Sequence, residues 1–382
     1  MSADPAAGLY IHIPFCRAKC AYCDFNSFAG LESLHGPYAR AVAREASAGA
    51  LPVWRTIYLG GGTPTVLPLS DLAHILEAVR RDGPLAPGAE VSIEANPGTV
   101  DRTKLSDLLG LGVNRLSLGV QSFDDAELQL LGRIHTVAEA LEAFQSARGA
   151  GFRNISLDLI FGLPGQSLAS WRLSLQRALD LAPEHLSLYA LSVEAGTPLA
   201  AAIGRGALPG PDPDLVADMY ELAEEACATA GYRHYEISNW ARRDDLRCEH
   251  NLIYWRNEDY IGLGAGAHSW ARGQRWSNTR SPQAYTELLS RGASPVAAQE
   301  AISQELEMGE TMMMGLRLVD EGVSLARFRQ RFGIDLRQKY AAQIEELAGL
   351  SLLEIDEGRI RLSSRGHLLA NQVFYRFLPE PA

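Results

Sequence analysis

Three of the five cysteines in this chain lie within eight residues of one another, in the stretch YIHIPFCRAKCAYCDF (Cys16, Cys20 and Cys23). Their CxxxCxxC spacing places three thiols on one loop, where they can converge on a single metal centre. Three thiolates on a cubane iron–sulfur cluster leave one iron without a protein ligand, and that iron can hold a substrate or a cofactor. A structural zinc ion would need a fourth ligand, for which His12 is a candidate. The basic residues between the cysteines indicate an exposed loop, which argues against three core cysteines clustered by chance.

Composition limits the classes of protein to which the chain can belong. Its 382 residues are 47% hydrophobic, enough for one large core and a smaller second domain. The N-terminal MSADPAAG has neither a basic region nor an apolar core, and no stretch approaches the roughly 20 apolar residues of a membrane span. We therefore expect a soluble, cytoplasmic protein, in which clustered cysteines are more often metal ligands than disulfides. The net charge of −11 argues against a general nucleic-acid surface.

Six short β-rich runs alternate with amphipathic stretches in the first two thirds of the chain. The runs are GLYIHIPF, TIYLGG, EVSIEANP, VNRLSLGV, NISLDLIFG and HLSLYALSV. Helices are predicted over 70–81, 136–149 and 168–180, long enough to connect parallel strands. Six such units are too few for a closed eight-stranded barrel and predict an α/β fold built on a partial, TIM-like (β/α)6 barrel. Chemistry in such sheets lies after the strands, where the cysteines, GGGTPT, Glu94, Gln121 and Asp158 fall.

The pattern changes near the loop GRGALPGPDPD. A helix through DLVADMYELAEEACATAGY leads to a stretch that is aromatic-rich and expected to be irregular, and helical periodicity returns near residue 301. SLLEIDEGRIRLSSRGHLLA then predicts a β-hairpin between helices, as in a winged-helix unit. We therefore expect a barrel over 1–210, a connecting segment over 211–300 and a smaller α+β C-terminal domain over 301–382.

The cysteine triplet, with Tyr22 directly before its third cysteine, resembles that of the radical S-adenosylmethionine superfamily, and the resemblance covers essentially the whole chain. It implies a [4Fe–4S] cluster whose open iron chelates the amino and carboxylate groups of S-adenosylmethionine. It also implies that an electron from the reduced cluster can cleave this ligand to methionine and a 5'-deoxyadenosyl radical. An electron donor such as flavodoxin or ferredoxin is then expected.

Other motifs agree with a ligand that combines a nucleoside and an amino acid. GGGTPT exposes backbone groups to a methionine moiety, and it lacks the lysine of a phosphate-binding P-loop, although a plain strand-ending turn is the simpler alternative. Glu94 and Asp158 can accept hydrogen bonds from ribose hydroxyls or an ammonium group, or can cap helices. Arg133 can instead cap the preceding helix.

The chain is similar residue by residue to the coproporphyrinogen III dehydrogenase (HemN-like) branch of this superfamily. The resemblance implies a C-terminal domain over the mouth of the barrel and a tetrapyrrole as the larger ligand. The residues at its S-adenosylmethionine positions are Tyr10, Gly61, Gly62, Thr63, Glu94, Gln121, Arg133 and Asp158.

Two departures separate the chain from the dehydrogenase itself. Asp24-Phe25 stand where the enzyme has another cysteine, and only fifteen residues precede Cys16. Both features, and the motif HNLIYW with His250, resemble the HemW-type haem chaperones. That resemblance implies binding of haem and its transfer to acceptor proteins such as respiratory haem enzymes. The sequence does not decide whether the protein docks at a membrane or forms a homodimer. An oxygen-independent dehydrogenase is the first alternative, and a winged-helix regulator is disfavoured by the acidic charge.

The haem ligand is the least determined residue of the site. Imidazole and thiolate both ligate haem iron, so His250 is the leading hypothesis, Cys248 an alternative and His268 a second contender. The competing interpretation is that a histidine before an asparagine makes local hydrogen bonds while the aromatic residues pack an interface. Cys227 and the run Met312-Met313-Met314 are interpreted as packing residues.

Overall fold

Twelve strands form one open sheet in the part of the chain that the computed structural model describes, residues 7–48 and 52–379. The outer ends of the predicted domains, residues 1–6 and 380–382, lie outside it. The strands are β1 (Ala7–Ile13), β2 (Trp54–Gly61), β3 (Leu85–Ala95), β4 (Arg115–Gln121), β5 (Ile155–Phe161), β6 (His185–Ala190), β7 (Arg233–Glu236), β8 (Asn239–Ala241), β9 (Tyr260–Leu263), β10 (His268–Ala271), β11 (Gln274–Asn278) and β12 (Val296–Ala301). Strands β1 to β6 are parallel and adjacent in chain order, which confirms the partial barrel.

Helices connect these strands and cover the sheet. They are α1 (His35–Ala46), α2 (Leu69–Asp82), α3 (Arg102–Gly110), α4 (Asp125–Leu130), α5 (Val137–Ala150), α6 (Leu168–Asp180), α7 (Pro198–Gly204), α8 (Pro213–Thr229), α9 (Glu249–Trp255) and α10 (Pro282–Ser290). Helix α2 buries Leu72, Ile75, Leu76 and Val79, whose spacing of three and four residues forms one apolar face. Helix α5 begins at a capping box formed by Thr136 and Glu139. The three helices predicted from periodicity are thus confirmed.

The segment after α8 extends the sheet at both edges. Strand β9 pairs in parallel with β1, and β10, β11 and β12 follow it in antiparallel order. At the opposite edge β8 pairs antiparallel with β6, and β7 lies outside it. The expectation of an irregular stretch is therefore wrong, because its short strands pair with partners that are distant in sequence. The two boundaries between the three expected domains stay predictions.

The C-terminal part has a hydrophobic core of its own. It contains α11 (Gln304–Gly315), α12 (Leu325–Phe332), α13 (Leu336–Lys339), α14 (Ala341–Gly349), α15 (Ser364–Leu368) and α16 (Ala370–Phe374). Strands β13 (Val323–Ser324), β14 (Leu353–Ile355) and β15 (Arg359–Leu362) form a small antiparallel sheet. The helices, with the β14–β15 hairpin, match the expected winged-helix unit. Met312 is buried in this core and Cys227 in the larger one, as packing residues.

Across residues 7–48 and 52–379, none of the helices combines the length and the apolar character that crossing a bilayer requires.

Candidate functional site

A cavity of about 390 Å³ opens where the parallel strands end, and it contains nearly all the predicted site residues. Its lining includes Cys16, Cys20, Cys23, Gly61, Gly62, Thr63, Glu94, Gln121, Arg133 and Asp158. The three cysteines are free thiols and partly exposed. The structure therefore brings together residues that lie more than 140 positions apart in the sequence. Of the predicted set, Tyr10 and His250 lie outside this lining.

Each cysteine sulfur has a polar neighbour. The Sγ of Cys16 lies 3.7 Å from the Oγ1 of Thr63, and the Sγ of Cys23 lies 3.7 Å from the Oγ of Ser27. The Nη1 of Arg133 donates to the Sγ of Cys20 over 3.3 Å. Burial raises the pKa of the Cys16 thiol, so a cation is needed to hold it as a thiolate. Three free thiols on one loop, with a guanidinium beside them, fit an iron–sulfur cluster.

The glycine-rich loop after β2 is bonded directly to the cysteine loop. The N–H of Gly62 donates to the carbonyl of Ile13 over 2.9 Å, and the N–H of Thr63 donates to that of Phe15 over 2.8 Å. A Cβ on Gly62 would lie 2.6 Å from the Phe15 carbonyl oxygen, closer than any side chain allows. Gly61 has a φ of 113°, in the region that favours glycine. Gly62 thus permits a backbone approach that a plain strand-ending turn does not require.

Arg133 connects the cysteine loop to the ends of β3 and β4. Its guanidinium donates to the carbonyl of Gly119 over 2.8 Å and to the side-chain oxygen of Asn96. Its backbone N–H also donates to the carbonyl of Leu128 over 2.9 Å, so Arg133 closes the end of the preceding helix as well as lining the cavity. Asn96 also donates to the Oγ1 of Thr63 over 3.0 Å. Sequence reasoning missed Asn96, although it stands two residues after Glu94 at a strand end, where polar residues were expected.

The two carboxylates belong to strands, and neither caps a helix. Glu94 accepts from the hydroxyl of Tyr58 over 2.8 Å and from the N–H of Gly61 over 3.1 Å. Burial outweighs these bonds and raises the pKa of Glu94 to about 7. Asp158 accepts from the hydroxyls of Ser117 and Ser156, with its closest oxygen 2.8 Å from Ser117, and burial raises its pKa. Both carboxylates face the cavity as hydrogen-bond acceptors.

Gln121 ends β4 with a φ of 69°, an uncommon conformation for a residue with a side chain. The register between β4 and β5 shifts between Gly119 and Gln121. Left-handed residues of this kind cluster at ligand sites, where surrounding structure holds them. The conformation places the Gln121 amide in the cavity lining.

A second cavity, of about 540 Å³, adjoins the first and shares Gly61, Glu94 and Phe25 with it. Its other lining residues are Tyr10, His12, Asn26, Tyr254, Tyr260, Gly266, His268 and Arg280. The Tyr10 hydroxyl lies 2.9 Å from the Nδ1 of His12, whose Nε2 lies 2.9 Å from the carbonyl of Asn26. Both nitrogens of His12 are thus engaged beside the cysteine loop, and His12 does not serve as a fourth metal ligand in this arrangement.

The HNxxYW motif forms α9, which lies between the two cavities. Asn251 lines the first cavity and Tyr254 lines the second. The His250 ring is buried, with Nδ1 2.7 Å from the Oγ1 of Thr56 and Nε2 2.8 Å from the hydroxyl of Tyr254. Burial lowers the pKa of His250 to about 3, so this ring is neutral. Neither of its nitrogens is available to a metal unless a hydrogen bond breaks.

The two other haem-ligand candidates differ in accessibility. Cys248 is buried 3.7 Å from a carboxylate oxygen of Glu90, and burial raises the pKa of its thiol. Glu90, which sequence reasoning missed, also accepts from the N–H groups of Glu249 and His250 at the start of α9. His268 is exposed on the wall of the second cavity, and its ring has no hydrogen-bond partner among residues 7–48 and 52–379.

Comparison with known proteins places the chain in a family. A model of the radical SAM superfamily matches residues 10–178, and a model of the HemN C-terminal domain matches residues 302–369. The heme chaperone HemW of Bacillus subtilis (strain 168) is 38% identical over 97% of this chain and 99% of its own length. The heme chaperone HemW of Escherichia coli (strain K12) is 42% identical over 74% of this chain and 76% of its own.

Among solved structures, coproporphyrinogen III oxidase (HemN) from Escherichia coli superposes with a TM-score of 0.84. It covers 98% of this chain and 91% of its own, at 23% sequence identity, so it shows the fold alone. The radical SAM match implies a [4Fe–4S] cluster and S-adenosylmethionine as cofactors, which the three free thiols and the adjoining polar lining fit. By identity and coverage, the chain belongs to the family of HemW heme chaperones within the radical SAM superfamily.

Proposed function

We propose that this protein binds haem in the second cavity and passes it to acceptor haem proteins. The names of its relatives support the function, and one observation supports the location: an accessible imidazole stands on the wall of an aromatic cavity that adjoins the cluster site. The volume of about 540 Å³ lies within the range of roughly 300–1,000 Å³ that is typical of ligand pockets.

The lining of the second cavity has the three features that haem needs. The rings of Tyr10, Tyr254 and Tyr260 offer flat apolar surface to a macrocycle. The exposed Arg280 can pair with a propionate, because a guanidinium matches a carboxylate in charge and shape. The free ring of His268 can supply an axial nitrogen to the iron.

His250 has a different role in this proposal. Its two hydrogen bonds, to Thr56 and Tyr254, fix the orientation of the Tyr254 ring, which packs edge-on against Tyr260 at a centroid distance of 4.6 Å. Ligation of iron by His250 would require the bond to Tyr254 or that to Thr56 to break inside a buried site. The hypothesis from the sequence that His250 is the axial ligand stays a prediction, which the following experiment separates from ours.

Haem titration of the cluster-loaded protein is expected to show a Soret band that depends on His268. We expect His268→Ala to shift that band and to weaken haem affinity by more than about tenfold, equivalent to roughly 1.4 kcal/mol. Replacement of His74, which is exposed on α2, by alanine is the matched control and should change neither property. An unchanged spectrum in His268→Ala, together with a lost band in His250→Gln, would contradict our assignment and favour ligation by His250.

The same samples separate a chaperone from a dehydrogenase. Haem binding without decarboxylation of coproporphyrinogen III supports the chaperone, whereas turnover of the porphyrinogen would mean that the missing cysteine was misleading. The electron donor, the acceptor protein and the homodimer stay predictions.

In the first cavity we propose that the polar lining binds S-adenosylmethionine, with Glu94 accepting from its cationic or hydroxyl groups. Because the pKa of Glu94 is about 7, lowering the pH neutralises its carboxylate before the ligand binds. We expect the affinity for S-adenosylmethionine to fall by up to about tenfold per pH unit below pH 7. Anaerobic calorimetry between pH 5.5 and 7.5 measures this slope.

Two variants test the origin of that slope. Glu94→Gln should bind weakly and show no slope in this range. Glu236 is also buried with a pKa of about 7 but lies outside the cavity lining, so Glu236→Gln should keep the wild-type slope. A pH-independent affinity in the wild-type protein would exclude Glu94 from ligand recognition.

A further inference from the structure

A second group of metal-ligating side chains lies where the C-terminal domain meets the large sheet. It consists of Glu224 on α8, His234 on β7 and His367 on α15, and we call it the interdomain cluster. The Oε1 of Glu224 lies 3.2 Å from the Nδ1 of His234 and 3.0 Å from the Nδ1 of His367. All three ligand atoms lie within 4.8 Å of one another, and the side chains are partly buried. None of the three residues lines either cavity of the cluster and haem sites.

The protonation of His234 makes this arrangement unusual. Its Nε2 lies 3.2 Å from the carbonyl oxygen of Ile237 and 3.4 Å from the hydroxyl of Tyr220, which donates to the same carbonyl. In the neutral tautomer that donates from Nε2 to this carbonyl, Nδ1 is a bare lone pair, and it faces the Glu224 carboxylate at 3.2 Å. Stacking on Trp240, with ring centroids 4.2 Å apart and planes 6° apart, holds the plane of the ring. A cation between the two atoms would remove the repulsion.

The same carboxylate oxygen also contacts His367, whose Nδ1 lies 3.0 Å away. Two imidazoles and one carboxylate form a donor set that binds zinc and other divalent transition metals.

We propose that the interdomain cluster of Glu224, His234 and His367 binds a divalent transition metal, best matched by zinc, that fastens the C-terminal domain to the barrel. Three protein ligands leave one position of a tetrahedral zinc ion for water. The ligands come from α8, β7 and α15, so the ion would hold the short helix α15 of the C-terminal domain against α8. The chain segments that carry Glu224 and His367 are 143 residues apart, and a metal bond between them would restrict opening of the C-terminal domain.

The test uses the full-length protein after cluster reconstitution, so that the cysteines hold iron, followed by equilibration with zinc chloride and dialysis. We expect about one zinc per chain by elemental analysis. Zinc K-edge absorption should show a shell of nitrogen and oxygen at about 2.0–2.1 Å, whereas zinc displaced onto the cysteines would show sulfur at about 2.3 Å.

Two replacements of His367 keep the test independent of folding. His367→Ala removes the ligand, and His367→Gln keeps a donor to Glu224 but offers no imidazole. Both should weaken zinc affinity by more than about 100-fold. The loss of a residue that only hydrogen-bonds to a metal ligand already costs about 10- to 100-fold, and loss of a ligand costs more. His74→Ala, which removes an exposed histidine on α2, should bind zinc as the wild type does.

The thermal midpoint provides a second readout. Zinc should raise it in the wild type and in His74→Ala, and should leave it unchanged in His367→Gln. Equal zinc content in His367→Gln and wild type, or a sulfur shell in the absorption spectrum, would overturn the proposal. A wild-type protein without zinc would overturn it as well.

Discussion

Replacement of any one of Cys16, Cys20 and Cys23 by serine is expected to abolish the broad visible absorption of the [4Fe–4S] cluster after anaerobic reconstitution. The three thiols lie on one loop and line one cavity, so each variant loses a third of the protein ligands. A serine hydroxyl does not replace a thiolate, because it is harder and remains protonated at neutral pH. Binding of S-adenosylmethionine should fall below detection in the same samples, since its anchoring iron is lost.

Cys227 provides the matched control for this loss. It is also a free thiol, but it is fully buried on α8 in the main hydrophobic core. Cys227→Ala removes one sulfur from packing and should keep the full iron and sulfide content, with at most a modest decrease in the free energy of unfolding. Retention of a complete cluster by all three serine variants would refute the cluster assignment, and loss of the cluster in Cys227→Ala would show that the assay reports folding.

The parts of this protein that could be predicted from the sequence are those set by local pattern. Each parallel strand is a short apolar run that ends in polar residues, and the carboxyl ends of such strands meet at one edge. The shared position of the cysteine loop, Glu94, Gln121 and Asp158 follows from that rule. Arg133 does not follow a strand, so this rule does not predict its position. Only the family resemblance assigned it to the site, where its side chain reaches the Cys20 sulfur.

The features that could not be predicted depend on contacts between distant segments. Strand β9 is four residues long and acquires its place by pairing with β1, about 250 residues earlier. His250 looked like an available ligand because its partner Thr56 is 194 residues away. Glu224 and His367 showed no pattern at all, because neither belongs to a local motif. In each case the place of a strand or the role of a side chain depends on a partner far away in the sequence, which hydrophobic periodicity does not reveal.

Gly62→Ala is expected to separate the glycine loop from the cysteine loop. The new Cβ would lie 2.6 Å from the Phe15 carbonyl oxygen and 3.0 Å from that of Ile13. Both are backbone atoms, so no side-chain rotation relieves the contact. The loop must move, which breaks the hydrogen bond from Gly62 to Ile13 and shifts Thr63 away from Cys16. We expect the free energy of unfolding to fall by about 3 kcal/mol, near the upper end for overpacking.

Gly98→Ala is the matched control, because the same methyl group there meets no atom within 4 Å. Gly98 lies in the turn Pro97–Thr99, which follows β3. Its variant should unfold at the wild-type temperature, whereas Gly62→Ala should unfold roughly 5 °C lower and bind S-adenosylmethionine at least about tenfold more weakly. If the two variants behaved alike, the close approach of the loops would not be what shapes the site. A selective loss in Gly62→Ala would instead assign the glycine-rich loop after β2 a direct part in holding the cysteine loop, independently of any contact that the glycines make with a ligand.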